Sequence, residues 1–118
     1  VSDVLTGASI AKHLSELGRQ LDVTVEMLRD ADLDAAQKRS AADTAESKAF
    51  VDAEGPMDIR RHLARLEASS KEYDAVVAEA LVRHLRRSLS SLEVRIEIGR
   101  SLGAIARAEL SALPYQEG

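Results

Sequence analysis

Six arginines crowd into residues 83–107: Arg83, Arg86, Arg87, Arg95, Arg100 and Arg107. Only Glu93 and Glu97 oppose them within that stretch, and His84 adds latent positive charge. A guanidinium group is planar, permanently charged and donates in a fork that matches phosphate or carboxylate oxygens bidentately. Arg83, Arg86 and Arg87 stand at i, i+3 and i+4, which on a helix is one face. The chemistry this spacing offers is recognition of an anion, either a phosphate backbone or an acidic protein surface. The same residues could instead pair with acidic residues elsewhere in the chain, for which the stretch Glu26 to Asp30 is the nearest candidate. Both readings stay open at the level of sequence.

No other group of residues reads as a reaction centre. His13, His62 and His84 are far apart, and no His-Glu-x-x-His or Glu-x-x-His pair exists to hold a metal. There is no glycine-rich phosphate loop, and the serines lack a His and Asp context. With no cysteine, the chain has neither a thiolate nucleophile nor a disulfide. Its 20 carboxylates are spread along the chain, which reads as a solvated surface rather than an acid–base pair. The expectation is a protein without catalytic residues, cofactor or metal, and not an enzyme.

The elements that must position the arginines follow from one short stretch, Ala53-Glu54-Gly55-Pro56-Met57-Asp58. Gly55 can take the left-handed conformation that ends a helix. Pro56 lacks an N–H and discourages helical geometry at Gly55. Asp58 can cap a following helix at the positive end of its dipole. The flanking segments lack proline up to Pro114. The reading is one domain over residues 1–118, with a helix at about 9–52, a turn at 53–57 and a helix at about 58–112. This is an all-α, long antiparallel helical hairpin of coiled-coil type.

In the first helix Ser9 reads as the N-cap. An alternating 4,3 stripe runs through Leu14, Leu17, Leu21 and Leu28 into Ala31, Ala35, Ala42, Ala45 and Ala49. It is leucine-rich first and alanine-rich later. Asp30, Asp32 and Asp34 crowd like charges, so a kink or break there is the alternative to one continuous helix. In the second helix the expected inward stripe is Ile59, Leu63, Leu66, Tyr73, Val77 and Ala80, continuing through Leu81, Leu85, Leu89, Leu92, Ile96, Gly99, Ala106 and Leu110. Gly99 and Gly103 share a face, which points either to a close helix crossing or to fraying.

A two-helix contact leaves Val25, Phe50, Val51, Val76, Val82, Val94, Ile98 and Ile105 off the seams. Self-association into a dimeric four-helix arrangement would cover them. Charge divides unevenly: residues 9–52 hold six Lys/Arg against nine Asp/Glu, and residues 58–112 hold ten against eight. One Phe, two Tyr and no Trp leave little for stacking nucleobases. No apolar run reaches membrane-spanning length, and the first residues do not pattern as a signal peptide, so the expectation is cytoplasmic with no membrane partner.

Residues 41–110, about 60% of the chain, resemble a group of small, all-helical proteins encoded by phages and prophages. The motifs carrying the likeness are the turn from Ala53 to Arg60 (Ala-Glu-Gly-Pro-Met-Asp-Ile-Arg), Gly-Arg-Ser-Leu at Gly99 to Leu102, and Arg-Ala-Glu at Arg107 to Glu109. This chain has Pro56 where the pattern more often has Ser. The resemblance implies a phage accessory protein in the cytoplasm of the infected cell, encoded near replication and recombination genes, with no active site to carry over. Three roles follow. The first is a helical adaptor or inhibitor binding a phage or host DNA-metabolism protein. The second is a direct DNA-binding factor using the arginines, and the third a structural or virion-assembly dimer.

Overall fold

A computed structural model describes residues 6–112. They form an all-α helical hairpin: α1 spans Gly7–Asp52 and α2 spans Met57–Ala112. The joint is Gly55, whose φ of +111° only glycine adopts without strain.

Helix ends differ slightly from the sequence expectation, for local reasons. Thr6, not Ser9, caps α1. The Thr6 hydroxyl accepts from the Ser9 N–H at 3.1 Å, and the Ser9 hydroxyl accepts from the Thr6 N–H at 3.0 Å. That reciprocal pair is a capping box with Ser in place of the usual Glu. At the other helix, Arg60 N–H donates to the Pro56 carbonyl at 3.0 Å. Pro56 is therefore the cap, and Asp58 sits inside the first turn, where its charge still favours the helix dipole. The acidic stretch Asp30–Asp34 does not break α1, which is continuous. Lys38 reaches back to Asp34 at 3.0 Å and Arg86 reaches across to Asp32 at 3.3 Å, so two of the crowded carboxylates have cations beside them.

The hairpin contains two compact units, the described residues of Val1–Val25 with Arg87–Gly118, and Glu26–Arg86. In the first, Ile10, Leu17 and Leu92 are buried. Both glycines of α2 lie in this seam. A Cβ on Gly99 would stand 2.6 Å from Leu14 Cδ2 and 3.2 Å from its Cγ, whereas one on Gly103 would meet Ile10 Cγ2 at an ordinary 3.6 Å. Leu14 thus faces Gly99 and Ile10 faces Gly103, equal steps of four along two antiparallel segments. Here the glycines mark a close crossing.

In the second unit the seam is made of small residues. Ala31, Ala35, Ala78, Val82 and Leu85 form one buried cluster, with Leu28 packed against it. Ala42, Ala64, Ala68 and Ala75 are buried as well. The α1 stripe expected from sequence is the one that faces inward. The first half of the α2 stripe is not: Ile59, Leu63, Leu66, Tyr73, Val77 and Leu81 are all exposed, and Val82, expected off the seam, is buried. The alanine face of α2 is the one turned towards α1. Farther along α2, Leu85, Leu92 and Gly99 are buried as the stripe requires, while Leu110 is exposed.

The two glycines should respond oppositely to alanine. Gly103→Ala gains helix propensity, up to about 1 kcal/mol, without a clash. Gly99→Ala gains the same propensity but loses about 1–3 kcal/mol to overpacking against Leu14. Denaturant unfolding should therefore rank Gly103→Ala above the parent and Gly99→Ala at or below it. The reverse order would contradict the close crossing.

Candidate interaction surface

Of the six arginines, Arg83 and Arg86 belong to the Glu26–Arg86 unit and the other four to its neighbour. All six are exposed. Arg86 donates to Asp32, just past the stretch that hairpin register suggested, so this arginine does pair within the fold. Arg83 adds a favourable field at Glu79. Arg100 lies 3.9 Å from Glu97 on the same helix, a pair exposed enough to contribute little. Among the described residues Arg87, Arg95 and Arg107 make no ion pair. Intramolecular pairing therefore accounts for part of the arginine-rich stretch and, among the described residues, leaves Arg87, Arg95 and Arg107 without an ion pair.

The turn residues Gly55, Pro56 and Asp58 are exposed, and the arginine that closes the turn motif ties the segment to the end of α1, a contact that the sequence reading did not assign to it. Arg60 donates from Nη2 to the Phe50 carbonyl at 3.0 Å, one of the last α1 carbonyls that lack a helical partner. Its guanidinium also lies over the Phe50 ring, 4.4 Å from the centroid. Its Nε is buried with no hydrogen-bond partner among the described residues. The hollow beside this turn, about 520 Å³, is lined by Glu46, Ser47, Phe50, Val51, Met57, Arg61 and Ala64. Glu46 is the one carboxylate among these lining residues, and none of them is a histidine.

The strongest electrostatic feature is also one that periodicity alone does not reveal. Arg39 donates from Nε and Nη2 to both carboxylate oxygens of Glu79, at 3.1 and 2.7 Å, and from Nη1 to Glu72 at 2.6 Å. Glu72 and Glu79 are one heptad apart on α2 and straddle Arg39. The bidentate hydrogen bond from Arg39 holds the Glu79 carboxyl below its ordinary value of 4.5, with burial opposing. Glu79 first and Glu72 second make the Arg39 proton harder to remove. Glu46 and Arg65 add a looser contact at 3.9 Å.

His13, His62 and His84 are exposed. Among the described residues, no three His, Asp or Glu side chains come together as a metal site, and no helix is long and apolar enough to cross a membrane. Comparison with protein-family models, curated proteins and solved structures finds no match to this chain.

A pH titration checks the Arg39 clasp. Because the folded Glu79 value is depressed, its stabilising effect is complete above the ordinary glutamate range and disappears as pH falls through the folded value. Arg39→Gln should lower the melting temperature at pH 7, and the gap to the parent should close as the pH drops below about 4. An equal gap at pH 7 and pH 3 would remove the clasp from the account.

Proposed function

We propose that this chain is a non-enzymatic phage accessory protein, acting in the host bacterial cytoplasm as a helical adaptor or inhibitor of a phage or host DNA-metabolism protein. The phage origin rests on the turn and late-helix motifs given above. The binding role rests on one observation: in the Glu26–Arg86 unit α2 displays cations and large apolar side chains outward while Ala64, Ala68, Ala75 and Ala78 face α1. A helix presenting such a mixed face suits recognition of a partner with acidic and apolar surface. Self-association as a dimer belongs to this reading, since large apolar side chains at exposed positions favour covering by another chain.

A second reading, direct DNA binding, is favoured by Arg87, Arg95 and Arg107, whose guanidinium groups have no carboxylate beside them among the described residues. The scarcity of aromatics argues for duplex rather than single-stranded DNA. The two readings separate in a capture experiment from host lysate. The triple variant Arg87→Gln, Arg95→Gln, Arg107→Gln should fold as the parent does and lose the captured protein, and nuclease should leave the parent's capture intact. Unchanged capture by the folded variant would defeat the arginine surface. Capture abolished by nuclease, with retention on DNA that falls steeply with salt, would replace the adaptor with the DNA-binding reading.

A further inference from the structure

The outward face of α2 in the Glu26–Arg86 unit has a pattern that scattered surface aliphatics do not. Ile59, Leu63, Leu66, Ser70, Tyr73, Val77 and Ala80 follow each other in steps of 4, 3, 4, 3, 4 and 3, and every one is exposed. Leu66 is 59% and Tyr73 69% accessible. That is a strict 3.5-residue repeat over three heptads, the repeat of a coiled-coil seam. The buried alanines Ala64, Ala68, Ala75 and Ala78 occupy another face. This part of α2 thus carries two seams, and the fold uses only the smaller one. A solvated helix face has no reason to keep five large apolar residues on a 4,3 repeat that only Ser70 interrupts.

We propose that the second seam pairs with the same seam of a second copy of this chain, the two α2 segments running parallel. The inference rests on the self-association reading above and names its surface and orientation. Exposure is one argument. On each copy the stripe leaves five large apolar side chains about half or more open to water, Ile59, Leu63, Leu66, Tyr73 and Val77 at 45–69% accessible, and only a partner laid along the whole stripe covers them together. A residue at a parallel seam meets its own counterpart, so an apolar repeat is automatically complementary to itself.

Charge selects the orientation. Beside the stripe lie His62, Ser69 and Val76 on one edge and Glu67, Asp74 and Leu81 on the other. In a parallel pair each residue of the first edge faces the residue five positions later in the second copy, because the g position of one heptad faces e of the next. His62 then meets Glu67, Ser69 meets Asp74 and Val76 meets Leu81, with no like charges opposed. In an antiparallel pair centred on Ser70 each edge faces itself. Glu67 would then stand against Asp74 of the second copy, twice per dimer, which is repulsive. Small Ser70 at an inner position leaves room for close approach in either case and does not discriminate.

The natural absence of cysteine makes the test clean. Sedimentation equilibrium of the full chain at micromolar concentration should give twice 12.8 kDa. Leu66→Lys with Tyr73→Lys should weaken the dimer at least tenfold while helical circular dichroism stays unchanged, since both side chains are exposed in the single chain. Separately, Ala80→Cys should oxidise to a disulfide-linked dimer, because position 80 meets its own counterpart only in the parallel arrangement. Cysteine at Ser40, exposed on α1, should not. A monomer at every concentration would overturn both this proposal and the self-association reading. A dimer indifferent to the two lysines, or one in which Ala80→Cys fails to cross-link, would overturn this proposal alone and leave self-association standing through another face.

Discussion

The constraint on which the Glu26–Arg86 unit depends is the smallness of its seam. Ala31, Ala35 and Ala42 of α1 and Ala64, Ala68, Ala75 and Ala78 of α2 are all buried. Methyl groups let two helix backbones come close and gain dispersion contacts along their length. They also remove little apolar area per residue, so hydrophobic transfer alone is a weak guide to which face turns inward. The inward face has to be chosen by something more directional.

Charge supplies that direction. Glu72 and Glu79 lie on the same side of α2 as Ala75, and Arg39 bridges both from α1. Turning the leucine stripe of α2 towards α1 would carry these carboxylates away from Arg39 and break three charge-assisted hydrogen bonds at once. Such networks contribute more to register than to total stability when partly solvated. In the neighbouring unit the choice is made sterically instead, by Gly99 accepting the Leu14 side chain. The outward display of large apolar residues on α2 is therefore a consequence of an inward choice made by alanine and charge.

Much of this was legible in the residues. Gly55 and Pro56 place the turn because one needs positive φ and the other cannot continue a helix. The α1 stripe reads correctly because only one apolar stripe exists there. In the first half of α2 two apolar stripes compete, and hydrophobic size favours the wrong one. Periodicity cannot decide between them, since it is blind to what faces them across the seam. Opposite charges spaced one heptad apart, Glu72 and Glu79 against Arg39, were the available signal. The Thr6 cap was hidden for a different reason: Thr6 and Ser9 are both good caps, and only their reciprocal hydrogen bonds separate the roles. Of the arginine stretch, sequence foresaw its exposure and the rivalry of internal pairing. The one α1 partner among the described residues, Asp32 for Arg86, follows from helix phase that a residue count from the turn does not supply.

The seam of the Glu26–Arg86 unit is thin, and the larger side chains of its α2 segment stay exposed. The central claim is that in the Glu26–Arg86 unit α2 meets α1 through Ala64, Ala68, Ala75 and Ala78. Its most direct test is the reactivity of a cysteine placed at Ala75, which is 0% exposed. The account predicts labelling of folded Ala75→Cys many times slower than in denaturant, whether or not the chain is dimeric. Labelling as fast in the folded protein as in the unfolded one would put the alanine face outside and contradict it.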